Sequence, residues 1–168
     1  MPPPPVSAAL ISQFEAALCM FDQCLRTCPD GQWEAPVAKY PFWMVAYHTL
    51  CYVDCYLSRG AAAFSPRPHL HPKGMQEYEE EYPSRRFERA ELLRYVEICR
   101  EKIRSELTAD DDASLAAPAG FSWLPFTRLE LHLYNLRHLS HHTGQLTAFL
   151  RRAGVETGWV KMGWRDLT

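Results

Sequence analysis

The sequence predicts an all-α fold, a four-helix bundle, on three observations. Four segments carry apolar residues at the three- and four-residue spacing of a helix face. Proline, glycine and aspartate clusters punctuate them, and no stretch shows the alternation of a half-buried strand. At 168 residues the chain is long enough to bury a core without disulfide or metal staples.

Pro2 to Pro5 form an extended lead-in, so residues 1–6 are expected to be flexible and 7–168 to form one domain. Ser7 is a plausible N-cap for a first helix that puts Leu10, Phe14, Ala17, Leu18, Phe21 and Leu25 on one face. Cys28-Pro29-Asp30-Gly31 ends it, because proline cannot continue a helix and Asp-Gly is turn chemistry. Pro41 suits the first turn of a second helix, which runs through Val45, His48 and Tyr52 to about Arg59 and stops at Gly60. Residues 61–84 are proline-dotted and irregular, with one helical turn expected in Glu77–Tyr82 whose acidic residues form a solvated face.

A third helix spans about Arg89–Leu107, with Leu92, Tyr95, Val96, Cys99 and Ile103 opposite its charges. Asp110-Asp111-Asp112 reads as a solvated loop. The fourth helix starts near Pro125 or Thr127, where Thr127 and Glu130 have capping-box spacing, and runs to Gly154. Trp159 and Trp164 in the tail are expected to pack back on the body or against a partner.

Composition excludes several function classes. Net charge is −2 with both signs interspersed, which argues against nucleic-acid binding. No apolar run approaches the roughly 20 residues of a membrane span. The start, MPPPPVSAAL, lacks a basic region followed by an apolar core, so no signal peptide and a cytoplasmic location are expected. The six cysteines contain no C-x-x-C. Pairs 24/28 and 51/55 lie in helical segments, where disulfide geometry is hard to reach, so they read as packed thiols.

The chemistry concentrates in Arg137-His138-Leu139-Ser140-His141-His142-Thr143-Gly144-Gln145-Leu146. His138 and His142 are four residues apart, about 400° around a helix, which stacks both imidazoles on one face. Leu131, Tyr134, Asn135 and Gln145 fall within about 60° of that stripe, so a face that belongs to the core carries imidazole. Burial of these rings requires a hydrogen bond or a metal. His48, mid-helix among apolar residues, is the candidate third ligand, since bundles build metal sites from facing helices. Three imidazoles without a carboxylate leave an open coordination position. His141 reads as rim, His132 as exposed, and His69 and His71 as part of a solvated loop. Cys51 and Cys55 follow His48 on nearly the same face as packed thiols.

A mid-helix histidine followed ninety residues later by His-x-x-His-His-x-Gly-Gln-Leu resembles the DinB/YfiT-like group of metalloenzymes. The likeness covers most of the chain, but only the late motif is specific. The resemblance implies a bundle with a long crossover loop and one divalent ion, zinc or nickel, bound by His48, His138 and His142. It further implies close helix packing at Gly144, and a thiol-dependent transferase or a metal-dependent hydrolase with a small-molecule substrate and a low-molecular-weight thiol cosubstrate. Where the family often has arginine, Thr143 stands here. Tyr52, one turn from His48, and Gln145, one turn beyond His142, are the candidate catalytic residues. No Glu lies inside His138–His142, so the HExxH protease mechanism is absent. The alternative function is a non-catalytic metal-binding or sensing module, and a homodimer is a further expectation from the aromatic tail.

Overall fold

Four long helices carry the packing in the computed structural model, which describes residues 6–79 and 83–166. They are α1 (Val6–Thr27), α2 (Phe42–Leu57), α4 (Arg89–Thr108) and α6 (Arg128–Arg152). Two short helices, α3 (Gln76–Glu79) and α5 (Asp112–Ala116), lie in the connections. Both α1 and α2 pack against α4 and α6, so the four close a ring of interfaces around the core. The lead-in expected at 1–6 lies outside the described residues except for Val6, which already belongs to α1. The part of the Glu77–Tyr82 turn beyond Glu79 also lies outside them.

Local chemistry explains the helix ends. Ser7 sits inside the first turn of α1 and does not cap it; its hydroxyl donates to the Asp110 carbonyl at 3.2 Å. Pro41 is the extended residue before α2 and not its first helical one. α2 stops at Leu57, two residues short of Arg59, because Arg128 takes over its last carbonyls. The guanidinium donates to Ser58 O at 3.2 Å and Leu57 O at 3.5 Å, groups that a helix end leaves unsatisfied. Thr127 caps α6 by accepting from Glu130 N at 3.2 Å. Gly60 and Gly120 both have positive φ (97° and 81°), and a Cβ on Gly60 would meet Gly120 O at 2.8 Å. Only glycine at both places lets the end of α2 touch the 117–127 loop.

Apolar residues from all four long helices fill the centre, among them Phe14, Phe21, Phe42, Leu50, Tyr95, Ile103, Leu139 and Leu146. All six cysteines are buried and free, as their spacing predicts. Trp164 packs back, with the Arg100 guanidinium 4.1 Å from its ring centroid. Trp159 faces outward, 75% exposed.

Four polar expectations fail, at His132, Asp110, Glu77 and His71, each because a partner folds onto the residue. His132 is fully buried, not exposed, with Nε2 2.9 Å from Asp110 Oδ2. Asp110 is therefore no loop aspartate; Arg128 Nε donates to both its oxygens, at 2.7 and 2.9 Å, and Arg59 Nη2 to one, at 3.1 Å. Burial by itself would raise the Asp110 carboxyl, and bonds from Arg128 and His132 overcome it, leaving the group below its ordinary value. Asp111 caps α5 by accepting from Ser114 N at 2.8 Å. Glu77 is buried and accepts from Lys73 N and Ser84 N.

His71 is also buried. Its Nδ1 accepts from Arg67 N at 2.9 Å, and its Nε2 lies 2.9 Å from the Tyr95 hydroxyl, which donates to Asp54 at 3.0 Å. Asp54 in turn pairs with Lys102 at 2.8 Å and with Arg67. A buried charge is tolerated only when paired in this way.

Two outcomes are expected. Asp110→Ala leaves Arg128 short of its main partner inside the fold, so urea denaturation should show a loss of about 3–5 kcal/mol; a loss under about 1 kcal/mol would contradict the role given to this pair. Burial lowers His71 to about 4, below the ordinary value of about 6.5. Its folded form thus holds fewer protons, and its contribution to stability is present above about pH 6.5 and lost as pH falls towards 4. In His71→Gln the urea midpoint should fall less steeply over that window than in the wild type.

Candidate metal centre

The chain direction at the ends of α2 and α6 sets the site. Arg128, at the start of α6, binds the carbonyls at the end of α2, so the two helices run antiparallel with paired faces. On α2 that face carries His48, Tyr52 and Tyr56; on α6 it carries Tyr134, His138 and His142. Both sets step by four residues, one helical turn each. Antiparallel pairing then puts His48 opposite His138 and His142, and Tyr56 opposite Tyr134.

The three rings meet. Their centroids lie 5.3 Å (His48–His138), 5.0 Å (His48–His142) and 4.6 Å (His138–His142) apart. One nitrogen from each falls in a group whose members all lie within 4.8 Å of one another. His48 Nε2 and His138 Nε2 are 3.3 Å apart. A tetrahedral ion with bonds of about 2.0–2.1 Å to nitrogen holds its donors about 3.3–3.4 Å apart, so this pair is already spaced as two ligands.

Tautomers follow from the neighbours. His142 Nδ1 lies 2.8 Å from Gln145 Oε1. The amide oxygen can only accept, so Nδ1 carries the proton and Nε2 keeps its lone pair for a ligand bond. Gln145 thus holds the His142 ring in place. Withdrawal from water lowers His138 to about 3 and His142 below its ordinary value, and the other imidazoles add to the fall at His138. Packing against the other rings, together with His142, also lowers His48, although part of its ring faces solvent. All three are neutral near pH 7, the form that binds metal. His138 Nδ1 is buried with no hydrogen-bond partner. A cluster of neutral imidazoles is therefore a donor set that suits a divalent ion of the zinc or nickel type.

The other candidates stay apart. His141 is exposed; its ring is 5.0 Å from His142 but outside the donor group. Cys51 and Cys55 are buried, and burial pushes the Cys55 thiol up to about 12, so neither joins the three nitrogens. Tyr52 is half-buried beside the site, 4.8 Å from His48 and 5.6 Å from His138 by ring centroids. Burial raises its hydroxyl above the ordinary phenol value, keeping it a proton donor. Gly144 corrects the sequence reading. It allows no close helix contact, since a Cβ there would meet nothing within 4 Å; it borders a cavity of about 330 Å³ between α1, α6 and the tail. Tyr56 and Tyr134 continue the two stripes beyond the histidines, and the four-residue step of tyrosine and histidine is the sequence signal that could have found them.

Fold and centre together define an all-helical protein with three histidines gathered between two antiparallel helices. The sequence profile of the DinB superfamily matches residues 13–146, a span that includes all three. The chain belongs to the DinB superfamily. No curated protein matches it. No helix among the described residues is long and apolar enough to cross a membrane.

Proposed function

We propose that this protein is a metalloenzyme that holds one divalent ion, zinc or nickel, on His48, His138 and His142 and transfers a low-molecular-weight thiol to a small electrophile. The observation that carries the reading is the convergence of three neutral imidazoles with no carboxylate or thiolate in the donor group. A divalent ion held by three neutral ligands keeps its full charge and an open position, where it lowers the pKa of a thiol or of water.

The residues around the ion favour thiol transfer over hydrolysis. A carboxylate base would serve water, yet among the described residues no carboxylate joins the three imidazoles in the donor group. A thiol ionises near pH 8.5 without a base, so it needs less help than water. Tyr52 is placed to donate a hydrogen bond to the anion that develops on the electrophile as its carbon forms the new C–S bond. Gln145 is a positioning residue that fixes the His142 tautomer. A non-catalytic module closed by a fourth protein ligand has less support, because Cys51, Cys55 and His141 lie outside the donor group.

Metal content measured by mass spectrometry tests the site. Wild-type protein should hold close to one divalent ion per chain and His138→Ala almost none. Absence of metal from both, even after zinc or nickel is added, would overturn the reading.

A further inference from the structure

Among the described residues, three buried side-chain atoms on α6 lack a hydrogen-bond partner: His132 Nδ1, Asn135 Oδ1 and His138 Nδ1. Leaving a buried polar atom unpaired is costly, so three within two turns call for a physical reason. Donor and acceptor character decides which of them belong together. His132 Nε2 lies 2.9 Å from the Asp110 carboxylate, which accepts, so the ring carries its proton on Nε2. Burial lowers the pKa of His132, so the ring is neutral near pH 7 and its Nδ1 is an acceptor. Asn135 Nδ2 donates to Val53 O at 3.2 Å, which makes the unpaired amide atom the oxygen, again an acceptor. These two cannot bond each other.

His138 is the complement. Its Nε2 faces His48 Nε2 at 3.3 Å, so Nδ1 is the nitrogen turned away from the centre. Once Nε2 gives its lone pair to an ion, the proton of the neutral ring sits on Nδ1, and that N–H needs an acceptor. Residues three apart on a helix are neighbours, with Cβ atoms about 5–6 Å apart, and a helical side chain leans back over the preceding turn. We infer that Asn135 is a positioning residue of the metal centre, whose side-chain oxygen accepts the Nδ1–H of His138 when Nε2 is a ligand; the inference rests on the metal reading above. Asn135 then serves His138 as Gln145 serves His142, whose Nδ1 lies 2.8 Å from the Gln145 oxygen. An amide suits the place because it works in both directions. Its nitrogen holds the backbone of α2, the helix that carries His48, while its oxygen fixes a ring on α6.

Nuclear magnetic resonance of zinc-loaded protein with nitrogen-15 histidine reads the ring tautomers, and calorimetry reads zinc affinity. In the wild type, His138 should carry zinc on Nε2 and a proton on Nδ1, shifted downfield by its hydrogen bond. Asn135→Leu, which leaves no acceptor, should move that signal upfield and weaken zinc binding about 10–100-fold. Gln145→Leu should move the His142 signal instead, which tells the two rings apart. Asn135→Asp loses the bond to Val53 O as the leucine variant does but keeps an acceptor, so it should bind zinc at most about threefold more weakly than wild type. Equal losses in the two Asn135 variants would mark a purely structural role and overturn the inference. An Nδ1–H signal unmoved in Asn135→Leu would also overturn it, and so, without any variant, would zinc on Nδ1 of His138 in the wild type. Each of those results leaves the metal reading standing, whereas no zinc uptake by the wild type would overturn both.

Discussion

The register of α6 against α2 is the constraint on which the rest depends. Side chains on the two facing stripes repeat every four residues, so a slip of one turn, about 5.4 Å, would set tyrosine where histidine belongs. Arg128 prevents that slip. Its guanidinium is held by the buried Asp110 carboxylate and reaches the carbonyls of Leu57 and Ser58. A single buried cation thus locks the start of α6 to the end of α2, and three turns later the imidazoles arrive together. Lys102 performs a related task from α4, donating to Asp54 and Ser58.

Burial then sets the chemistry of each titratable group. It keeps the three imidazoles neutral and thus available as ligands. It raises Cys55 and Cys99, which keeps both as neutral thiols. Withdrawal from water also raises Tyr52, so a proton donor and three lone pairs stand side by side. Specificity for nitrogen over sulfur in the donor group follows from how deep each side chain lies on α2: the Cys51 and Cys55 thiols turn into the core while His48 stays at the edge.

Much of this was legible in the sequence. Apolar spacing and the turn residues located the four long helices to within three residues, and the four-residue step of His138 and His142 placed them on one face. Joining His48 to them needed the family resemblance as well as its position among apolar neighbours. What escaped shares one cause. Helical phase put His132 off the histidine stripe correctly, but α6 is covered on two sides, by α1 and by α2, so leaving one buried face meant entering another. His71, Glu77 and Asp110 escaped because they lie in or beside the connections, whose course no periodicity records. Gly144 was misread because a glycine in a helix signals either close packing or open space, and only the neighbouring helix decides between them.

X-ray absorption at the zinc edge of the loaded protein tests the central claim most directly, since it counts ligands by element and distance. Three nitrogen ligands at about 2.0–2.1 Å with imidazole scattering, and no protein sulfur, are the result predicted by a centre of His48, His138 and His142. A sulfur shell at about 2.3 Å in protein free of added thiol would contradict it, because Cys51 or Cys55 would then have left the core to bind the ion.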